Sequence, residues 1–101
     1  MYHNAEFLAK ALRNTFDYAV DTSPLFYQFE DYYTLPGICE LTEDEDKQGY
    51  PYPGSDSLAV ATEPMKFGYW LTVYYSHNGE RTWLNVHQGN SIVKTYQLVQ
   101  Y

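Results

Sequence analysis

The chain has little cysteine, little basic charge and no long apolar run, and each shortage excludes something. Cys39 is the single cysteine. No intramolecular disulfide can form, and a reducing, cytoplasmic setting is the default expectation. Lys and Arg number six against thirteen Asp and Glu. No basic patch is available to neutralise phosphates, so direct nucleic-acid binding is not expected. No apolar stretch approaches the roughly 20 residues that span a bilayer. The N-terminal "MYHNAEFLAKALRNTF" lacks the basic region followed by an apolar block that marks a signal peptide. The glycines at 37, 49, 54, 68, 79 and 89 follow no strand-to-helix Gly-rich pattern, which removes a phosphate cradle. His3, His77 and His87 have no zinc spacing and no cysteine partners. There is no internal repeat and no low-complexity segment.

What is present points to one folded domain. A chain of 101 residues can bury one core but not two. Hydrophobic residues make up 45% and aromatics 19%, with twelve tyrosines. Disordered chains are poor in aromatics. Tyrosine, apolar in body and polar at its tip, suits shallow cores and contact surfaces. The net charge of −7 is unevenly spread: −3 over residues 1–39, −5 over 40–56 and +1 over 57–101. A uniformly acidic surface would read as solubility; this asymmetry reads as an acidic face.

Along the chain, Phe7, Leu8, Ala11, Leu12, Phe16 and Ala19 recur at three- and four-residue spacing, which predicts a helix over 4–20 with Asn4 as N-cap. Glu6–Lys10 and Arg13–Asp17 are i,i+4 pairs. Asp17 and Asp21 fall near the negative end of the helix dipole, an unfavourable place for a carboxylate unless Arg13 offsets the first and the second lies beyond the helix. The segment 24–33 reads either as a short second helix opened by Ser23-Pro24 or as an edge strand, with the helix slightly favoured. "ICEL" and "SLAVAT" read as strands, the second stopped by Pro64.

The last third predicts three antiparallel strands. Asn78-Gly79 signals a two-residue type I′ hairpin closed by His77 and Glu80. That turn places Tyr75 opposite Thr82, Val73 opposite Leu84 and Leu71 opposite Val86. On the other face Ser76 meets Arg81, Tyr74 meets Trp83, Thr72 meets Asn85 and Trp70 meets His87. Gly89-Asn90 makes a second turn. A two-residue loop there sets Val93 beside Val86, and a three-residue loop sets Ile92 there and flips the strand. The aliphatic face is core for the N-terminal helix. The fold class expected is α+β, a helix on a four- to five-stranded, mainly antiparallel sheet. The exposed tyrosines and the C-terminal strand edge are compatible with a homodimer.

Catalytic chemistry finds little support. Nothing links Cys39 to a histidine base, and a lone cysteine reads as a small buried hydrophobe. "DEDKQGYPYPGS" begins like an EF-hand loop, with Asp44, Asp46, Gln48 and Gly49 at the right offsets, but Ser55 stands where the bidentate Glu belongs. The acids cluster in a predicted loop, where solvent leaves no reason for a raised pKa. No enzyme activity, cofactor or metal is expected.

Two surfaces remain. The first gathers Asp17, Asp21, Glu30, Asp31, Glu40, Glu43, Asp44, Glu45, Asp46 and Asp56, with Tyr50 and Tyr52, each locked before a proline, as rigid anchors. Concentrated like charge repels itself, and a basic partner relieves the repulsion. The expected function is a small non-enzymatic acidic protein that blocks a basic surface of a partner, with nucleic-acid mimicry as its sharper form. In type, such chains resemble phage-encoded anti-restriction and anti-CRISPR inhibitors and toxin-neutralising immunity proteins; no motif ties this chain to one family. The second surface is an aromatic platform of Trp70, Tyr74 and Trp83. Its alternative function is a sugar- or small-ligand-binding module, against a reading in which it packs under 25–33 as a second core.

Overall fold

The computed structural model describes residues 4–22, 34–35, 37–43 and 57–100. These residues form one N-terminal helix on one antiparallel sheet. The helix α1 spans Ala5–Thr22. The strands are β1 (Thr34–Leu35), β2 (Cys39–Glu43), β3 (Ser57–Pro64), β4 (Tyr69–Ser76), β5 (Thr82–Gln88) and β6 (Ser91–Gln100). The first is a two-residue extension of one edge, so the sheet proper has five strands. The order across it is β1-β2-β6-β5-β4-β3.

The helix begins where the sequence places it. Asn4 Oδ1 accepts from Phe7 N at 2.7 Å, capping a backbone donor that has no partner inside the helix. The buried face is centred on Leu8, Ala9, Leu12 and Phe16. Phe7, expected in that stripe, is rotated out and 45% exposed, because the helix seats one step further round on β3 and β4. Phe16 stacks on Tyr96 of β6, ring centres 6.0 Å apart. The helix continues to Thr22, so Asp21 belongs to its last turn rather than to a turn beyond it.

The α1 side of the sheet holds Cys39, Leu41, Leu71, Val73, Leu84, Val86, Tyr96 and Leu98, which join the helix residues in one core. The β4–β5 register is the one the hairpin predicts, from Trp70 opposite His87 to Tyr75 opposite Thr82. The turn differs. Strand pairing stops at Tyr75 and Thr82, Gly79 alone takes positive φ (75°), and its N–H bonds to Ser76 O at 2.9 Å. Asn78 does not need the left-handed region. Its Oδ1 instead accepts from Ser76 Oγ at 2.7 Å and Glu80 N at 3.0 Å, and this side-chain bonding stabilises a longer loop.

The β5–β6 register follows neither option read from the sequence. The loop is two residues, with Gln88 opposite Ser91 and His87 opposite Ile92, but Val93 is an extra residue and Lys94 lies opposite Val86. This β-bulge turns Tyr96 and Leu98 inward; an unbroken register would have pointed Thr95 and Gln97 at the core.

The sheet edges also differ from expectation. β6 is paired with β5 over Ser91–Leu98 and with β2 over Tyr96–Gln100, so that the last stretch of its second edge is taken by β2. The long edge is β3, which carries a bulge at Val60 and ends at Pro64, two features that discourage edge-to-edge pairing. The segment 24–33, read as helix or strand, lies outside the described residues.

Candidate functional site

The acids predicted to converge do not all do so. Asp17 lies on α1, and its Oδ1 accepts from Lys66 N at 2.9 Å, tying the helix to the turn between β3 and β4. The carboxylate near the C-terminal end of the helix therefore has a structural partner, and it is a backbone amide rather than Arg13. Glu40 is exposed in β2, between Cys39 and Leu41. Those two are buried on the core side of the sheet, so strand alternation sends Glu40 to the opposite face. Asp17 and Glu40 are thus on opposite sides of the sheet and not on one surface. The backbone of Asp21 is in α1 and that of Glu43 ends β2. Glu30, Asp31, Asp44, Glu45, Asp46, Tyr50, Tyr52 and Asp56 lie outside the described residues, as does the EF-hand-like stretch.

Topology does fix what the acidic segment connects. It leaves β2 after Glu43 and returns at Ser57 in β3, with β6, β5 and β4 between the two strands. At a strand spacing of about 4.8 Å this is a step of roughly 19 Å across the sheet. The acidic residues of 44–56 therefore join the two sides of the sheet and do not close a local hairpin.

The aromatic platform is divided. Trp83 is 2% exposed and belongs to the buried part of the second face. It presents no plane for stacking, which corrects its place in the platform. Trp70 is 41% exposed and Tyr74 is half-buried on the same face. The hairpin register set Thr72 opposite Asn85 on this face without indicating that they would be buried. Thr72, Asn85 and Thr95 are all buried there, and the visible signal was a polar residue at every second position of otherwise apolar strands.

Cys39 is fully buried in the core, and burial pushes its thiol up to about 11. A thiol so far from ionisation is a poor nucleophile. Among the described residues no group of three or more His, Cys, Asp or Glu is placed to hold a metal ion, and no helix is long and apolar enough to cross a membrane.

No protein-family model, curated protein or solved structure matches the chain. The chemistry of the chain is accordingly read from its own residues.

Proposed function

We propose that this chain is a small, non-enzymatic acidic protein whose segment 40–56 docks on a basic surface of a partner protein and blocks it. The observation that carries the reading is charge density. Six carboxylates and a single lysine fall within residues 40–56, while residues 57–101 are close to neutral. The partner-contacting residues are Glu40, Glu43, Asp44, Glu45, Asp46 and Asp56, with Tyr50 and Tyr52 as anchors. Asp17 drops out of the contact set, because its carboxylate is committed to Lys66 N. In its sharper form the carboxylates stand in for phosphates and the partner is a nucleic-acid-binding protein, the arrangement of an anti-restriction or anti-CRISPR inhibitor.

The test is affinity capture with the chain and with a variant carrying Glu43→Gln, Asp44→Asn, Glu45→Gln and Asp46→Asn. The expected result is a basic protein retained at low salt, released at high salt, displaced by duplex DNA and not retained by the variant. Identical capture by both chains at every salt concentration would remove the acidic segment from the binding mechanism. Retention that duplex DNA does not displace would remove only the mimicry.

A further inference from the structure

The second face of the sheet holds a buried polar group with unused bonding capacity. Asn85, in the middle of β5, is 1% exposed. Its Oδ1 accepts from Thr95 Oγ1 at 2.8 Å, while its Nδ2 is buried and has no hydrogen-bond partner among the described residues. Exchanging the amide oxygen and nitrogen would not help. A threonine hydroxyl can serve either, and one end of the amide would still be stranded. Leaving such a group unsatisfied is unfavourable, so the position favours an incoming partner.

Beside it runs a chain of neutral polar groups. Thr72 Oγ1 lies 3.1 Å from Thr62 Oγ1 and 3.0 Å from His87 Nε2. The second contact fixes the imidazole plane and leaves its Nδ1 for another partner. These groups open on a cleft of about 210 Å³ lined by Thr72, Tyr74, Asn85, His87, Asn90 and Ile92. Trp70 pairs with His87 across β4 and β5 and adds an exposed aromatic plane beside it.

The chemistry of the lining selects the ligand. Among the described residues, no Lys, Arg, Asp or Glu lines the cleft. A metal ion or other cation would find no counter-charge there. An anion would meet no fixed positive group in a chain of net charge −7. Amide, hydroxyl, imidazole and phenol groups both donate and accept, which matches ligand hydroxyls that do the same. Drug-sized ligands occupy pockets of roughly 300–1,000 Å³, so this cleft has room for about one ring.

We propose that the cleft binds a neutral polyhydroxylated ring, a single sugar residue, either free or at the end of a glycan. The Asn85 amide and His87 Nδ1 hold ring hydroxyls, and Tyr74 and Trp70 cover its apolar face. The site shares no residue with segment 40–56, so the two proposals can fail separately.

The test is an NMR titration of the full chain with glucose, galactose, mannose and N-acetylglucosamine, run against acetate and phosphate. The expected result is saturable shifts of the Asn85 side-chain amide and the His87 ring with at least one sugar. Tyr74→Ala and His87→Ala, at half-buried positions, each weaken that sugar about 10-fold. The four-carboxylate variant binds it unchanged. Absence of saturable shifts with all four sugars overturns the proposal. So do shifts with acetate or phosphate alone, and so does undiminished binding by both single variants.

Discussion

At the scale of single residues, Phe67 and Cys39 carry consequences that can be measured. Phe67, in the turn between β3 and β4, takes φ 60° and ψ 28° with its ring 64% exposed. A bulky side chain in the left-handed region costs roughly 1–2 kcal/mol, and an exposed ring recovers little of that by burial. Phe67→Gly is therefore expected to raise the unfolding free energy by about 1 kcal/mol, read as a higher urea midpoint at unchanged slope. A lower midpoint would mean that the ring is held by contacts worth more than the strain. Cys39 makes the other prediction. Its thiol titrates near 11 in the fold against 9.0 for the unperturbed group. The folded state therefore binds the proton more tightly than the unfolded state. Stability from this group is intact below pH 9 and falls as pH climbs through 9 toward about 11. Cys39→Ala is expected to flatten that part of the stability profile. In the native chain, a thiol reagent at neutral pH should label Cys39 only at the rate of unfolding.

At the scale of elements, the parts legible in the sequence were those set by periodicity and local capping. Asn4 and the Leu8–Leu12–Phe16 spacing gave α1 its start and its buried face. The Asn78-Gly79 signal gave the β4–β5 register even though the turn it implied is not the one formed, and the Leu71–Val73 and Leu84–Val86 alternation gave the buried face. That register survived because a four-residue loop over 77–80 preserves the same strand pairs as the two-residue loop inside it. The β6 register was not legible, because a bulge leaves no residue signature and Val93 looks like any strand valine. Nor was the β2–β6 pairing, a contact between distant segments that no local pattern encodes. The candidate sites divide the same way. Acidic density was readable as composition, but that Asp17 is tied to Lys66 N and faces away from Glu40 depends on how α1 crosses the sheet. The bulge supplies its own test. Deleting Val93 removes the extra residue and leaves Lys94 opposite Val86, Tyr96 opposite Leu84 and Leu98 opposite Thr82, in an unbroken register. Tyr96 and Leu98, at 0% and 8% exposure, therefore stay on the core side. The deletion is expected to keep a cooperative thermal transition, with a stability loss of no more than about 0.5–3 kcal/mol. Loss of the cooperative transition would mean that the bulge is needed for its own twist and not only for the pairing it allows.

At the scale of the whole molecule, the question is whether the negative charge acts as one field. The chain carries −7, and its densest acidic stretch leads from β2 at one side of the sheet to β3 at the other. Charges strung over a small domain repel one another through a Debye length of about 10 Å at 0.1 M salt and 30 Å at 0.01 M. If segment 40–56 holds its carboxylates within that range of each other, the folded state is under self-repulsion that salt relieves. The melting temperature of the chain is then expected to rise between about 0.01 M and 0.1 M sodium chloride, the range in which screening changes most. In the variant with Glu43, Asp44, Glu45 and Asp46 neutralised, net charge falls in magnitude, and both the low-salt deficit and its relief by salt should shrink together. Far-UV circular dichroism is the control, an unchanged spectrum showing that the variant keeps its secondary structure. A melting temperature indifferent to salt in both chains would mean that the carboxylates are too far apart to form a common field. Such a surface could neither steer a basic partner nor stand in for a phosphate backbone, whatever its composition.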